Sequence, residues 1–246
     1  MRKPIVLLFF ITFLSSCGSK KTDSAVRDDA AFDNQLTGQQ IADGWKVLFD
    51  GKTLTGWRTF KNKDNDSWEV VAGTLHCKKV NDTIENKRAD LMTVDQYKDF
   101  ELTFDWKISP EGNSGLIYRV TEEYEVPYGS GPEFQIIDDV NYPGELKDVN
   151  LTGANYGMHA PDKNKTLRPA GEWNSSRIII KNNHVEHWLN GGKVLEYELG
   201  SDDWKKLVNT SKWKDFPGYG LAQSGFIDLQ DHGSEVWFKN LYIVRY

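Results

Sequence analysis

The chain has 246 residues, of which 39% are hydrophobic and 27% charged, enough to bury a sizeable core and too polar on average for a membrane bundle. With 36 acidic against 30 basic residues the net charge is -6, which excludes an extended phosphate-neutralising surface, so nucleic acid is not an expected partner. Aromatic residues make up 13% against three Met and two Cys, a balance that suits pleated sheet and flat binding surfaces rather than a helical bundle or a disulfide scaffold.

The first residues read as a leader. Arg2 and Lys3 precede an apolar stretch from Ile5 to Leu14 that is too short to span a bilayer of ~20 helical residues but suits a signal peptide. Leu14-Ser15-Ser16-Cys17 follows as a lipobox, so residues 1–16 are expected to be removed and Cys17 to be acylated. Residues 17–35 are polar and read as a tether, which places a domain of residues 36–246 in the cell envelope, periplasmic or outer-membrane associated, with the membrane a partner only through the lipid. The second cysteine, Cys77, sits in a strand-like run and reads as a packed side chain rather than a nucleophile.

Beyond the tether the pattern is that of strands. A short helix is expected around Thr37 to Ala42. Phe100, Leu102, Phe104, Trp106 and Ile108 alternate with polar residues, a period of two that a half-buried strand explains. Shorter runs follow at Leu116 to Val120, Phe134 to Ile137, Arg177 to Ile180, Val185 to Leu189, Ile227 to Gln230 and Val236 to Val244. Asn190-Gly191 marks a hairpin, and Ser201 caps a second helix running to Thr210. The expected fold class is therefore all-β, a single two-sheet jelly-roll sandwich with one or two short helices. Oligomeric state is not readable from such a pattern.

Several segments occur together and in order: Gly44 to Trp57, Trp68 to Leu75, Asn113-Ser114-Gly115, Gly131 to Asp138, Ala170 to Asn174, Leu189-Asn190-Gly191 and Leu229 to Gly233. The chain resembles the 3-keto-disaccharide hydrolase domain family, formerly a domain of unknown function and labelled glycosyl hydrolase. The resemblance covers Leu36 to Tyr246. It implies a concanavalin-like sandwich related in shape to laminarinases, activity on sugars, and the lipoprotein habit of glycan-degrading Bacteroidetes. The chain departs from the family pattern at Phe226, where relatives carry His two residues before Asp228.

Strand phase picks out a cluster independently of that resemblance. Ile227 and Leu229 share one face, leaving Asp228, Gln230 and His232 on the other. By the same count Leu116, Tyr118 and Val120 point inward and Arg119 outward, while Glu133 and Gln135 oppose Phe134 and Ile136. Glu133 and Asp138 are five residues apart, and one β-bulge near Ile136 and Ile137 would bring both carboxylates to one side. This matches the Glu-x-Asp-x-x-Glu strand of laminarinase-like hydrolases, with Gln135 in place of the central acid, a change that weakens double displacement by carboxylates about 5 Å apart.

A 3-keto sugar suits other chemistry, because the ketone acidifies the C2 hydrogen and elimination can expel the C1 substituent before water adds back. The base is assigned to Glu133 or His232, whose free side chains titrate near 4.3 and 6.5, and the oxyanion stabiliser to Arg119 or a cation. Asp138, His159 and Glu172 are further candidates for the acid. Asn113, Gln135, Asn174, Asn190 and Gln230 could contact sugar hydroxyls, and Trp173 or Tyr156 could stack. His187 reads as a hydrogen-bonded core residue and Asn190 as a hairpin residue. No cofactor is required, and Glu133, Asp138 and His159 would hold a divalent cation only if the bulge converges them. Three readings stay open: a 3-keto-glycoside-cleaving enzyme, a conventional glycosidase using Glu133 and Asp138, and a non-catalytic glycan-binding lipoprotein.

Overall fold

The longest alternation in the sequence becomes the middle of a sheet. In the computed structural model, which describes Met1, residues 33–80 and residues 87–246, Phe100–Ile108 forms strand β6 with every second side chain in the core. Around it, β1 (Lys46–Val47), β3 (Trp68–Val71), β4 (Thr74–Cys77), β9 (Asn174–Lys181), β10 (His184–Leu189), β11 (Gly192–Glu198) and β13 (Val236–Arg245) complete an antiparallel sheet of order β11-β10-β9-β6-β13-β4-β3, with β1 also on β13. The remaining strands, β2 (Trp57–Thr59), β5 (Leu91–Thr93), β7 (Asn113–Val120), β8 (Glu133–Ile137) and β12 (Phe226–Leu229), form a smaller sheet of order β2-β5-β12-β7-β8. The two sheets face each other in a sandwich of the expected class. Trp57, Trp68, Trp106, Tyr118, Phe134 and Phe238 lie in the shared core, whereas Trp45 is only half-buried.

The local signals hold where turn and cap chemistry dictates them. Asn190 and Gly191 adopt φ of 47° and 87°, as a two-residue hairpin turn requires, and join β10 to β11. Helices α1 (Gly38–Ala42) and α2 (Asp202–Thr210) start on Thr37 and Ser201, whose hydroxyls accept from Gln40 N and Trp204 N. None of the described helices is long and apolar enough to cross a membrane. The leader, Cys17 and residues 17–32 of the tether lie outside the described residues. The domain's own contacts begin before residue 36: Asn34 and Asn240 exchange reciprocal backbone–side-chain hydrogen bonds at 2.7 and 2.9 Å, and Lys239 pairs with Asp33 at 2.7 Å.

The small sheet is unusual in being buried on both faces. Every residue of β5, β7 and β8 is buried, including those on the face turned away from the large sheet. Polar side chains that strand phase sends outward therefore end beneath a roof rather than in bulk solvent.

Candidate active site

Register fixes what stands side by side on that covered face. Asp228 pairs with Met92 on one side and Ile117 on the other, and Ile117 pairs in turn with Glu133, so two acids share one row across four strands. One step along, Gly115 pairs with Gln135, and Gln230 donates its backbone N–H to Gly115 O at 2.9 Å. Asp90 stands opposite this step and accepts the Asp231 N–H at 2.9 Å. Gly115 leaves a gap in the middle of the row, and the Glu133 side chain lies across it. A Cβ at residue 115 would fall inside van der Waals contact of Glu133 Oε1 and 2.8 Å from its Cδ.

Glu133 is 3% exposed and has few partners for a charge. Burial pushes its carboxyl up to about 8; the Lys212 ammonium works against this and the Asp90 carboxylate adds to it. Its close neighbour is the Gln135 amide, which reaches Asn113 Oδ1 at 3.1 Å and, with its NH2 turned the other way, Glu133 Oε1 at 2.9 Å. An amide can serve the carboxylic acid through its oxygen or the carboxylate through its NH2, so this partner tolerates either protonation state. Asp228, completely buried, is held well above the usual carboxylate range by burial first and then by Asp90 and Glu133. Asp90 is raised to about 7 by its own burial.

Two compartments open over this floor. One of about 330 Å³ is lined by Asn113, Glu133, Gln135, Tyr156, Lys212 and Trp213; a neighbour of about 200 Å³ is lined by Phe60, Lys63, Arg88, Asp90, Glu125 and Asp231. Tyr128, Gln230 and His232 border both and form the ridge between them. A roomier hollow of about 410 Å³ lies elsewhere, between β1, the end of β13 and Val94 to Tyr97, and collects none of the buried acids.

The wall carrying Lys212 is anchored by aromatic stacking. Trp213 lies parallel to Tyr219 at 4.2 Å, its indole N–H donates to Tyr156 O at 3.1 Å, and the stack continues through Trp204 and Tyr197 to His159. Ser211 caps the 3-10 turn Lys212–Asp215 by accepting from Trp213 N at 3.3 Å. Lys212 Nζ is thereby set 4.1 Å from the Tyr156 ring and 4.4 Å from that of Trp213.

Of the residues singled out from sequence, Glu133, His232, Asn113, Gln135, Tyr156 and Gln230 meet in this cleft. Others do not. Arg119 adopts φ of 54° where two residues of β7 oppose one of β12, and this bulge reverses the phase of the strand end. Val120 then packs on the covered face, while Arg119, 1% exposed, turns away and donates to Asn183 Oδ1 at 2.8 Å beside Asp99. The guanidinium expected in the site is replaced by the Lys212 ammonium. The bulge that would have brought Glu133 and Asp138 to one side is absent, since the pairing of β8 with β7 runs unbroken from Glu133 to Ile137. Asp138 instead caps a turn, accepting from Glu111, Val140 and Asn141, and does not join Glu133. His159 stacks on Tyr197 at 4.7 Å and its Nδ1 accepts from Asn155 Nδ2 at 3.1 Å, with burial lowering it to about 4. The cation trio of Glu133, Asp138 and His159 is therefore not assembled.

Glu172, Trp173 and Asn174 belong to the far side. Trp173 lies under Lys107 and Lys239 on the outer face of the large sheet, and Asn174 ties its loop through Arg168 N at 2.9 Å. His187 and Cys77 are core residues as expected; His187 bonds Tyr118 and the Gly153 carbonyl, both at 2.9 Å. Phe226 carries Arg58 over its ring at 4.8 Å and lines neither compartment. Sequence reading missed Lys212 and Asp90, which sit outside any periodic run, and left Asp228 without a role.

A jelly-roll sandwich with a covered, acid-floored cleft on its small sheet has the build of a carbohydrate-active enzyme. Residues 44–244 match the 3-keto-alpha-glucoside-1,2-lyase-like domain, and the chain belongs to that family. It is 31% identical to the 3-keto-disaccharide hydrolase of Bacteroides thetaiotaomicron over 98% of this chain and 97% of that one. Two solved structures from Parabacteroides distasonis ATCC 8503, each bearing the provisional designation of glycosyl hydrolase, share the fold. One is 42% identical with a TM-score of 0.80, covering 87% of this chain and 99% of that one; the other is 29% identical with a TM-score of 0.65, covering 82% and 99%. A Bacillus subtilis protein with a galectin-like fold, 13% identical at a TM-score of 0.50, shares the architecture alone over 78% of this chain and 90% of its own.

Proposed function

We propose that the cleft cleaves the glycosidic bond of a 3-keto-glycoside by elimination followed by hydration, with net hydrolysis. The observation that carries this reading is the meeting of Glu133, Lys212 and His232 around one compartment of sugar size. Glu133, poised near neutrality by burial, removes the C2 hydrogen as general base. The electron pair moves into an enolate at the C3 oxygen, where Lys212 supplies the positive charge. The pair then returns to form the C1–C2 double bond and breaks the bond from C1 to the leaving oxygen. His232, on the ridge between compartments, protonates that oxygen. Water subsequently adds its hydroxyl to C1 and its proton to C2. Family membership supports the sugar substrate, and the names of the relatives support the 3-keto requirement.

The test is a comparison of a plain disaccharide with its 3-keto derivative. Cleavage of the keto substrate alone is expected; comparable rates on both would refute the keto requirement, and binding without turnover of either would favour a glycan-binding protein. The lipobox at Leu14 to Cys17 supports a lipid-anchored envelope location. A Cys17→Ser variant is then expected to leave the membrane fraction, and its retention there would contradict the anchor.

A further inference from the structure

Unsatisfied acceptors gather under the smaller compartment. Among the described residues, Asp228 Oδ1 and Oδ2, Gln230 Oε1 and Asp231 Oδ2 are buried with no hydrogen-bond partner. Asp228 is wholly inaccessible and Gln230 is 8% exposed. Both project from one face of β12 and its extension, and the Asp90 carboxyl lies within hydrogen-bonding reach of Asp228. Glu133 adds a third acid to the same patch. The nearby guanidinium is turned toward Asp231 and the Lys78 carbonyl, since Arg88 Nε donates to Asp231 Oδ1 at 2.9 Å and Nη2 to the Lys78 carbonyl at 2.8 Å; its Nη1 is buried without a partner but donates to none of these orphaned oxygens.

A single shared proton does not settle this arrangement. A proton between Asp90 and Asp228 serves one oxygen of Asp228 and leaves its second oxygen and Gln230 Oε1 without a donor. Water could donate twice but would not offset the burial and mutual repulsion that oppose ionisation of Asp90 and Asp228, against which Lys63 is a lesser influence. A small cation answers both deficits, because each orphaned atom is a hard oxygen ligand and two of the groups are carboxylates.

We propose that Asp90, Asp228 and Gln230 form an oxygen-lined site for a hard divalent cation, reached through the smaller compartment and completed by water. The half-buried group His184, Glu186 and Glu196 is a weaker candidate, because Lys193 Nζ already stands 2.6 Å from Glu196 and 3.4 Å from Glu186.

The test is isothermal titration of EDTA-stripped protein with CaCl2, MgCl2 and MnCl2 separately, with thermal unfolding alongside. One-site binding of at least one cation is expected, with a dissociation constant below about 1 mM, the range of extracellular calcium modules, and an upward shift of the midpoint. Asp228→Asn and, independently, Gln230→Met should each weaken binding at least tenfold with an unchanged circular dichroism spectrum, whereas Glu196→Gln should leave it intact. The second variant decides the matter if the first does not fold. Absence of binding by all three cations at 10 mM, or undiminished binding in the folded variants, would overturn the site. The readout needs no turnover, so a protein that binds the cation yet spares a 3-keto-glycoside would refute the activity and keep the site.

Discussion

Glu133 is asked to be a base in a place that resists its charge. Burial holds its carboxyl at about 8, so activity that needs the carboxylate should rise with pH through that value. Glu133→Gln is expected to lower kcat by about 10³-fold, within the usual span for loss of a general base, in a steady-state assay on a 3-keto-disaccharide. The same group affects stability with a definite sign. The folded protein keeps a proton that the unfolded chain releases near 4.5, so the stabilisation is complete below that pH and is lost as pH rises to about 8. Glu133→Gln should therefore be more stable than the parent above pH 8, by on the order of 5 kcal/mol and seen as a higher unfolding midpoint, and match it near pH 4. Lys212→Met removes the charge that holds Glu133 down, so the rising limb should move to higher pH while kcat falls about 10²-fold. An unmoved limb would show that Lys212 does not face the carboxyl. Glu133 was legible from strand phase alone. Lys212 was not, because it stands in a 3-10 turn whose direction is set by the stack of Trp213 on Tyr219 and not by any period in the sequence.

At the level of elements, β7 carries both the opportunity and the surprise. Its glycine at 115 is the space in which the Glu133 carboxyl rests, so Gly115→Ala should displace that carboxyl and cut kcat by at least about 10²-fold, as the loss of a positioned group does, with the spectrum of a folded sandwich retained. Full activity in that variant would mean that the observed position of Glu133 is not the reactive one. Two residues beyond Ile117 the strand bulges, and Arg119 leaves the face that simple alternation gives it. Alternation read correctly from Leu116 to Tyr118 and failed one residue later, since a bulge depends on pairing with β12 and leaves no mark in β7 itself. Arg119→Met should accordingly destabilise the protein by about 2–4 kcal/mol through the loss of buried charge-assisted hydrogen bonds, while kcat of the folded fraction stays near the parent value. The mirror case is β8, where the laminarinase-like spacing suggested a bulge and unbroken pairing keeps Asp138 apart from Glu133.

For the molecule as a whole, the sandwich separates a chemical side from a scaffolding side. The strands, the hairpin and the helix cap were legible because turn residues and periodicity act locally. The roof over the small sheet was not, since loops between distant strands build it, and for this reason Asp228 and Gln230 passed from solvent-facing expectations to buried ones. Trp173 and Asn174 lay in segments shared with the family yet sit on the opposite sheet, where Lys107 and Lys239 cover the indole. The most direct measurement of the central claim is turnover of a 3-keto-disaccharide in D2O with isotopic analysis of the released keto sugar. Elimination and rehydration through Glu133 predict one deuterium at C2, acquired at the rate of cleavage and absent with Glu133→Gln. A product that keeps its original C2 hydrogen while cleavage proceeds at the full rate would contradict the account.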